Sequence, residues 1–150
     1  MCGLSTLWLV SAQKRRLDGF YCRCLRRILG IPSAYVCRIS NKTVLQRACV
    51  IAFSEQLLHK QLILLGKVAR ATDADPIRQD VFVDSTLLPQ EGRFIRRVGR
   101  PRQDWTTQVM RAGAEKFGSV ARLEGLLRRN GEHAEQLWKK ELRQMFCFSS

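Results

Sequence analysis

The feature that most restricts how this chain can fold is the spacing of its apolar residues, which recur at three- and four-residue intervals and almost never alternate one by one. Between Ser11 and Gly30, the residues Leu17, Phe20, Tyr21, Cys24, Leu25 and Ile28 share one arc of a 3.6-residue repeat, while Arg15, Arg16, Arg23, Arg26 and Arg27 take the opposite arc. Gly30 offers a left-handed cap and Pro32 a breaker, so a helix is predicted to stop there. One of its faces packs and the other is cationic. Ser40 and Asn41 can cap a short helix running through Gln46 or Arg47, because their side-chain oxygens accept from free amides of a first turn. Val44, Leu45 and Ala48 give that helix an apolar side. Ser54 opens a longer helix to about Arg70, striped by Leu57, Leu58, Leu62, Leu64, Leu65, Val68 and Ala69.

From Asp73 to Gly92 the charge balance reverses, with five acids against Arg78 alone, and a linker or irregular connection fits best. Asp75 before Pro76 suits a brief helix start, and Leu88 before Pro89 favours extended chain. Beyond an arginine-rich stretch, Asp104 to Phe117, Ser119 to Arg129 and Glu132 to Phe146 read as three helices separated by Gly118 and by Asn130 with Gly131. Trp138, Leu142 and Met145 give the last one a buried stripe. The predicted class is therefore all-α, an irregular bundle of five to seven helices with an extended Arg-rich connection. Its segments are a basic helical part over 1–72, a linker with an Arg-rich arm over 73–102 and C-terminal helices over 103–150. At 150 residues the chain can bury one hydrophobic core comfortably, and two only with difficulty.

Twenty-six Lys and Arg stand against 13 Asp and Glu, a formal charge of +13 that favours a polyanionic partner, RNA or DNA, over small neutral substrates. No uninterrupted apolar run approaches the roughly 20 residues that span a bilayer. The opening MCGLSTLWLV lacks the basic start of a signal peptide, since Lys14, Arg15 and Arg16 follow it, and it reads as an element cut from a larger fold. An intracellular site, cytoplasmic or nuclear, is expected. The six cysteines form no even framework, which fits reduced thiols. Cys22 and Cys24 would point about 200° apart on a helix, and only His59 and His133 could join them, so neither a metal site nor a cofactor is expected.

Polymerase and nuclease chemistry needs clustered carboxylates that hold paired metal ions, and this chain supplies no such cluster. Asp73 and Asp75, its closely spaced aspartates, sit before Pro76 as helix capping would place them. His59, with Glu55 one turn earlier, reads as a structural surface histidine. No catalytic residue is assigned. RFIRRVGRPR, Arg93 to Arg102, carries five arginines and no acid. Pro101 stiffens it and Gly99 permits close approach, so Arg96, Arg97, Arg100 and Arg102 can lie along a phosphate backbone. Gly99, Arg100 and Pro101 also match the centre of an AT-hook, but Val98 stands where the hook has its first arginine. A phosphate-contacting arm, a solvated linker and a minor-groove hook all remain open.

Several segments, in this order, resemble the region that follows the polymerase core in non-LTR, LINE-like retrotransposon reverse transcriptases. GLSTLW at Gly3 to Trp8 is similar to the family's Tyr-Gly-x-x-x-x-Trp start. AQKRRLDGF and CLRRILGIP resemble its basic helix, SNKTVLQRA its next helix opening, QLILLGKVARA its Leu-Gly-His segment and RRVGRPRQDW its Arg-Val-Gly-Arg-Pro-Arg-x-x-Trp block. Lys67 replaces the family's histidine, and the resemblance runs over about residues 3 to 115. It implies a thumb and post-thumb piece of a larger polymerase fold, with the palm aspartates upstream, that holds template and primer without synthesising. The nucleic-acid-binding residues it and the charge pattern point to are Arg15, Arg16, Arg23, Arg26, Arg27, Arg96, Arg97, Arg100 and Arg102, and a further expected partner is the upstream polymerase palm. Two alternatives stand beside it: a free-standing basic adaptor that binds RNA or DNA, and a decayed gene fragment with no selected activity.

Overall fold

The structure, a computed structural model, describes residues 3–90 and 104–146. Among them lie a 3-10 turn at Leu4–Thr6 and eight α-helices: α1 (Ser11–Ile28), α2 (Ala34–Cys37), α3 (Asn41–Arg47), α4 (Phe53–Ala69), α5 (Pro76–Val81), α6 (Trp105–Phe117), α7 (Val120–Leu127) and α8 (Glu132–Met145). The chain is all-α. The described residues contain no strand, only an isolated antiparallel bridge between Phe82 and Pro89, where the pre-proline residue Leu88 predicts extended backbone. The helix count exceeds the expected five to seven because α2 is a single turn, too short to carry a periodic signal. The Arg93 to Arg102 arm lies outside the described residues.

The helix ends follow local chemistry. Ser40 Oγ accepts from the amide of Thr43 at 3.1 Å, Asp104 caps α6 through Thr107, and Ser119 caps α7 through Arg122. Asp75 accepts from Ile77 and Arg78 and precedes Pro76 at the first helical position, so this aspartate serves as a cap. Gly30 takes φ +64 just beyond α1, the left-handed conformation that the stop signal required.

The described residues divide into two compact units. One unit comprises Leu9–His59 with Phe146; the other holds the described residues up to Trp8 with Lys60–Met145. In the first, α1 is turned away from the orientation its apolar residues predict. Phe20 and Ile28 are exposed, at 58% and 78%, while Cys22 and Arg26 are buried. The rotation follows from Asp18. Its two carboxylate oxygens accept from the amide of Ser54 at 2.8 Å and from the Ser54 hydroxyl at 2.7 Å. Helix α4 thus opens at Phe53, one residue before the expected Ser54, and part of its first turn is satisfied from α1. Tyr21 stays on the inner side, its ring 5.6 Å from that of Phe53 and its hydroxyl accepting from Gln56 at 3.1 Å.

In the second unit the α4 stripe supplies Leu62 and Leu65, wholly buried as Val109, Leu123, Leu127 and Leu142 are, with Trp138 buried too and Leu64 half-buried. Gln61, also buried, donates to the Leu7 carbonyl at 2.7 Å, and Trp105 Nε1 donates to the Ser5 carbonyl at 3.0 Å, so the opening segment is held by two backbone acceptors. Phe117 and Trp138 stack with centroids 5.4 Å apart and planes 13° from parallel. The acidic stretch after Asp73 is packed too, because Phe82 and Leu87 are buried. Trp138 lies so close to α4 that a Cβ on Gly66 would sit 2.3 Å from its Nε1. Gly66→Ala should therefore lower stability by about 1–3 kcal/mol of overpacking, less up to about 1 kcal/mol of helix propensity. Chemical denaturation would show this as a lower midpoint. Adding Trp138→Phe, which also removes an indole N–H that has no hydrogen-bond partner among the described residues, should restore most of that stability.

Candidate nucleic-acid interface

Charge is distributed unequally between the two units. Residues 9–59 carry nine Lys and Arg against two acids, Asp18 and Glu55, whereas residues 60–146 carry 17 against 11. In the second unit several of the acids meet cations directly. Arg122 lies 3.3 Å from Glu141, Lys139 2.6 Å from Glu135, Arg128 3.9 Å from Glu124 and Arg111 3.7 Å from Glu115. The Glu135 carboxyl is held below its usual range by its hydrogen bond and charge contact with Lys139. Two further arginines there brace the fold from within. Arg78 is buried, donating to Asp73 at 2.8 Å and to the Ala69 carbonyl at 2.6 Å, with its guanidinium over the Phe82 ring. Arg70 donates to the carbonyls of Gly66 and Arg129, and its partial burial lowers its pKa against the opposing pull of Glu135.

The first unit is different. Arg15, Arg16, Arg23 and Arg27 are exposed on α1, and among the described residues none of the four makes an ion pair. Asp18, the acid that shares their helix, is engaged with Ser54. Three other cations of this unit, Arg38, Lys42 and Arg47, are also exposed. They are scattered one at a time, so no motif marks them in the sequence, although the depletion of acids over the same stretch is a signal that points to them.

Arg26 has to be removed from the predicted interface. It is 5% exposed, and its guanidinium donates to the Pro32 carbonyl at 3.1 Å, to the Ile39 carbonyl, to Asn41 Oδ1 at 3.4 Å and toward Cys37 Sγ at 3.6 Å. The planar, multi-donor head gathers the whole Pro32 to Asn41 connection against the end of α1. Helical spacing sets Arg26 among the surface arginines because it cannot register that carbonyls converge on this position. Arg96, Arg97, Arg100 and Arg102 lie outside the described residues.

Among the described residues the cysteines and histidines assemble no other site. Cys22 is buried beside Asp18 and Arg26; desolvation and the Asp18 charge push its thiol above the usual range, with Arg26 opposing, so it stays protonated near neutrality. Cys24 is half-buried on the same helix, and Cys37 donates toward the Pro32 and Ser33 carbonyls. The His59 ring packs 5.1 Å from that of Phe146. Among the described residues no three His, Cys, Asp or Glu side chains converge as metal ligands would.

No protein-family model matches this chain, and no curated protein or solved structure does. Among the described residues no helix is long and apolar enough to cross a membrane.

The two classes of arginine on α1 should separate in a stability measurement. Arg26→Lys keeps the charge but cannot span the same acceptors, and it should cost on the order of 3 kcal/mol, since each hydrogen bond from a charged group contributes about 1.5–3 kcal/mol. Arg27→Ala, one residue away and exposed, should stay within about 0.5 kcal/mol of the parent. Urea unfolding followed by circular dichroism reads both.

Proposed function

We propose that this chain is a non-catalytic nucleic-acid-binding element of the kind that follows the polymerase core in non-LTR retrotransposon reverse transcriptases, contacting template and primer through arginine and phosphate. One observation carries the binding reading: Arg15, Arg16, Arg23 and Arg27 stand exposed without ion pairs among the described residues, on a unit that holds nine cations and two acids. Arginines placed to satisfy the fold are buried or paired, as Arg26 and Arg78 are; these four have no such task. A polyanionic backbone supplies the missing countercharge. The link to retrotransposon polymerases rests on the order of segments from Gly3 to Trp105, and an upstream palm domain would then be the neighbouring partner.

Binding of this type is salt-dependent and nearly indifferent to sequence, because each neutralised phosphate releases condensed counterions and phosphates carry no base identity. Affinity for an RNA–DNA hybrid or duplex should fall steeply with added salt. Changing Arg15, Arg16, Arg23 and Arg27 together to Ala should weaken binding to all sequences and reduce the slope of log K against log salt by about 0.9 for each phosphate no longer neutralised on B-form DNA. An unchanged affinity and slope with helicity intact would refute the assignment.

The Arg93 to Arg102 arm is tested separately. Arg96, Arg97, Arg100 and Arg102 changed to Ala should reduce affinity uniformly if they lie on phosphates, whereas a minor-groove hook loses A·T-rich duplex selectively. Purified protein should not extend a primer with magnesium or manganese, since no carboxylate cluster for paired ions forms among the described residues. Template-dependent incorporation that survives repurification would show otherwise.

A further inference from the structure

The Leu9–His59 unit sorts its aromatic rings into two groups. Tyr21 and Phe53 face each other inside it, whereas Phe20 and Tyr35 face solvent, at 58% and 96% exposure. An exposed ring forgoes the burial that ordinarily recommends an aromatic, and what stands beside it decides whether it has another use. Phe20 has neighbours that supply one. Arg16, Phe20, Arg23 and Arg27 follow one another at spacings of four, three and four residues, which sets them along a single stripe of α1. This is the spacing of a core face, yet all four side chains are exposed. The Arg23 guanidinium lies 6.0 Å from the centre of the Phe20 ring. The stripe spans about 16 Å at 1.5 Å per residue, the length of about five stacked nucleotides at 3.4 Å each.

A duplex presents phosphates to such a stripe but keeps its base faces stacked inside, so it can use the arginines and not the ring. An unpaired strand can use both, laying a base on Phe20 while adjacent phosphates meet Arg16, Arg23 and Arg27. We propose that Phe20, with Tyr35 as a second ring on the same unit, is a stacking platform for unpaired bases, so that this unit takes single-stranded nucleic acid in preference to duplex. The proposal rests on the reading of the unit as a phosphate-binding surface and names the strand state it selects. Charge complementarity chooses this occupant: an apolar protein partner would have to cover the ring while desolvating three arginines that lack ion pairs among the described residues.

The experiment compares a mixed-sequence single strand with its duplex, at one salt concentration, by fluorescence anisotropy. Four proteins are used: the parent, Phe20→Ala, Tyr35→Ala and the triple change of Arg16, Arg23 and Arg27 to Ala. Both rings are exposed, so the single variants should keep the parent's helicity, checked by circular dichroism. Phe20→Ala should lower single-strand affinity about five- to a hundredfold and leave duplex affinity within about twofold, because a base can no longer stack while the phosphates still meet their arginines. Tyr35→Ala should act in the same direction, and Phe20→Trp should retain the affinity. The triple arginine variant should weaken both ligands. If it does so while Phe20→Ala weakens neither, or both equally, the platform is refuted and the phosphate surface stands. If the triple variant weakens neither, the phosphate surface itself is wrong. Weaker binding to anionic lipid vesicles, or weaker self-association, on Phe20→Ala with single-strand affinity unchanged would assign the ring to another partner and overturn the proposal.

Discussion

The contact between Asp18 and Ser54 decides what α1 presents to solvent. A carboxylate that accepts two hydrogen bonds from the first turn of α4 has to face inward, and a helix is rigid enough that one inward residue orients all the others. Four and eight residues further on, Cys22 and Arg26 come inward with it, and Phe20 and Ile28 turn out. The hydrophobic effect alone would have chosen the opposite result, since burying a phenylalanine is favourable and burying an arginine is not. Polar satisfaction outweighs it because the desolvated carboxylate and guanidinium each meet several partners, and an unpartnered group in the same place would be far more costly than an exposed ring.

Arginine consequently has two physical roles in this molecule. Arg26 and Arg78 are internal braces: Arg26 reaches the Pro32 and Ile39 carbonyls in the connections on either side of α2, and Arg78 the Ala69 carbonyl at the end of α4. Carbonyls at helix ends and in turns lack partners within their own element, and a fork of up to five donors can serve several at once. Arg15, Arg16, Arg23 and Arg27 do nothing of this kind. They have no ion-pair partner among the described residues, and the proposed binding of a polyanion rests on that.

The same contrast bears on chemistry. Closely spaced aspartates are the first place to look for metal-dependent catalysis, but here Asp75 caps α5 and Asp73 pairs with Arg78, so both already have structural tasks. Cys22, which could have been a reactive or metal-binding thiol, is kept protonated by burial and by the Asp18 charge.

Much of the architecture was legible in the amino-acid order. The spans of α1, α3, α4 and α6 to α8, the caps at Ser40 and Asp75, and the leucine stripe of α4 follow from local propensity, capping and 3.6-residue periodicity, which act over a few neighbouring residues. The strongly basic composition is likewise a property of the chain alone. What no local rule could supply is the rotation of α1, because it depends on partners 36 residues away at Ser54 and up to 15 residues away at Asn41. That rotation exchanged Arg26 for Phe20 at the surface. Periodicity tells which residues share a face of a helix; only the hydrogen-bond acceptors and donors that other segments bring to it decide which face is turned inward.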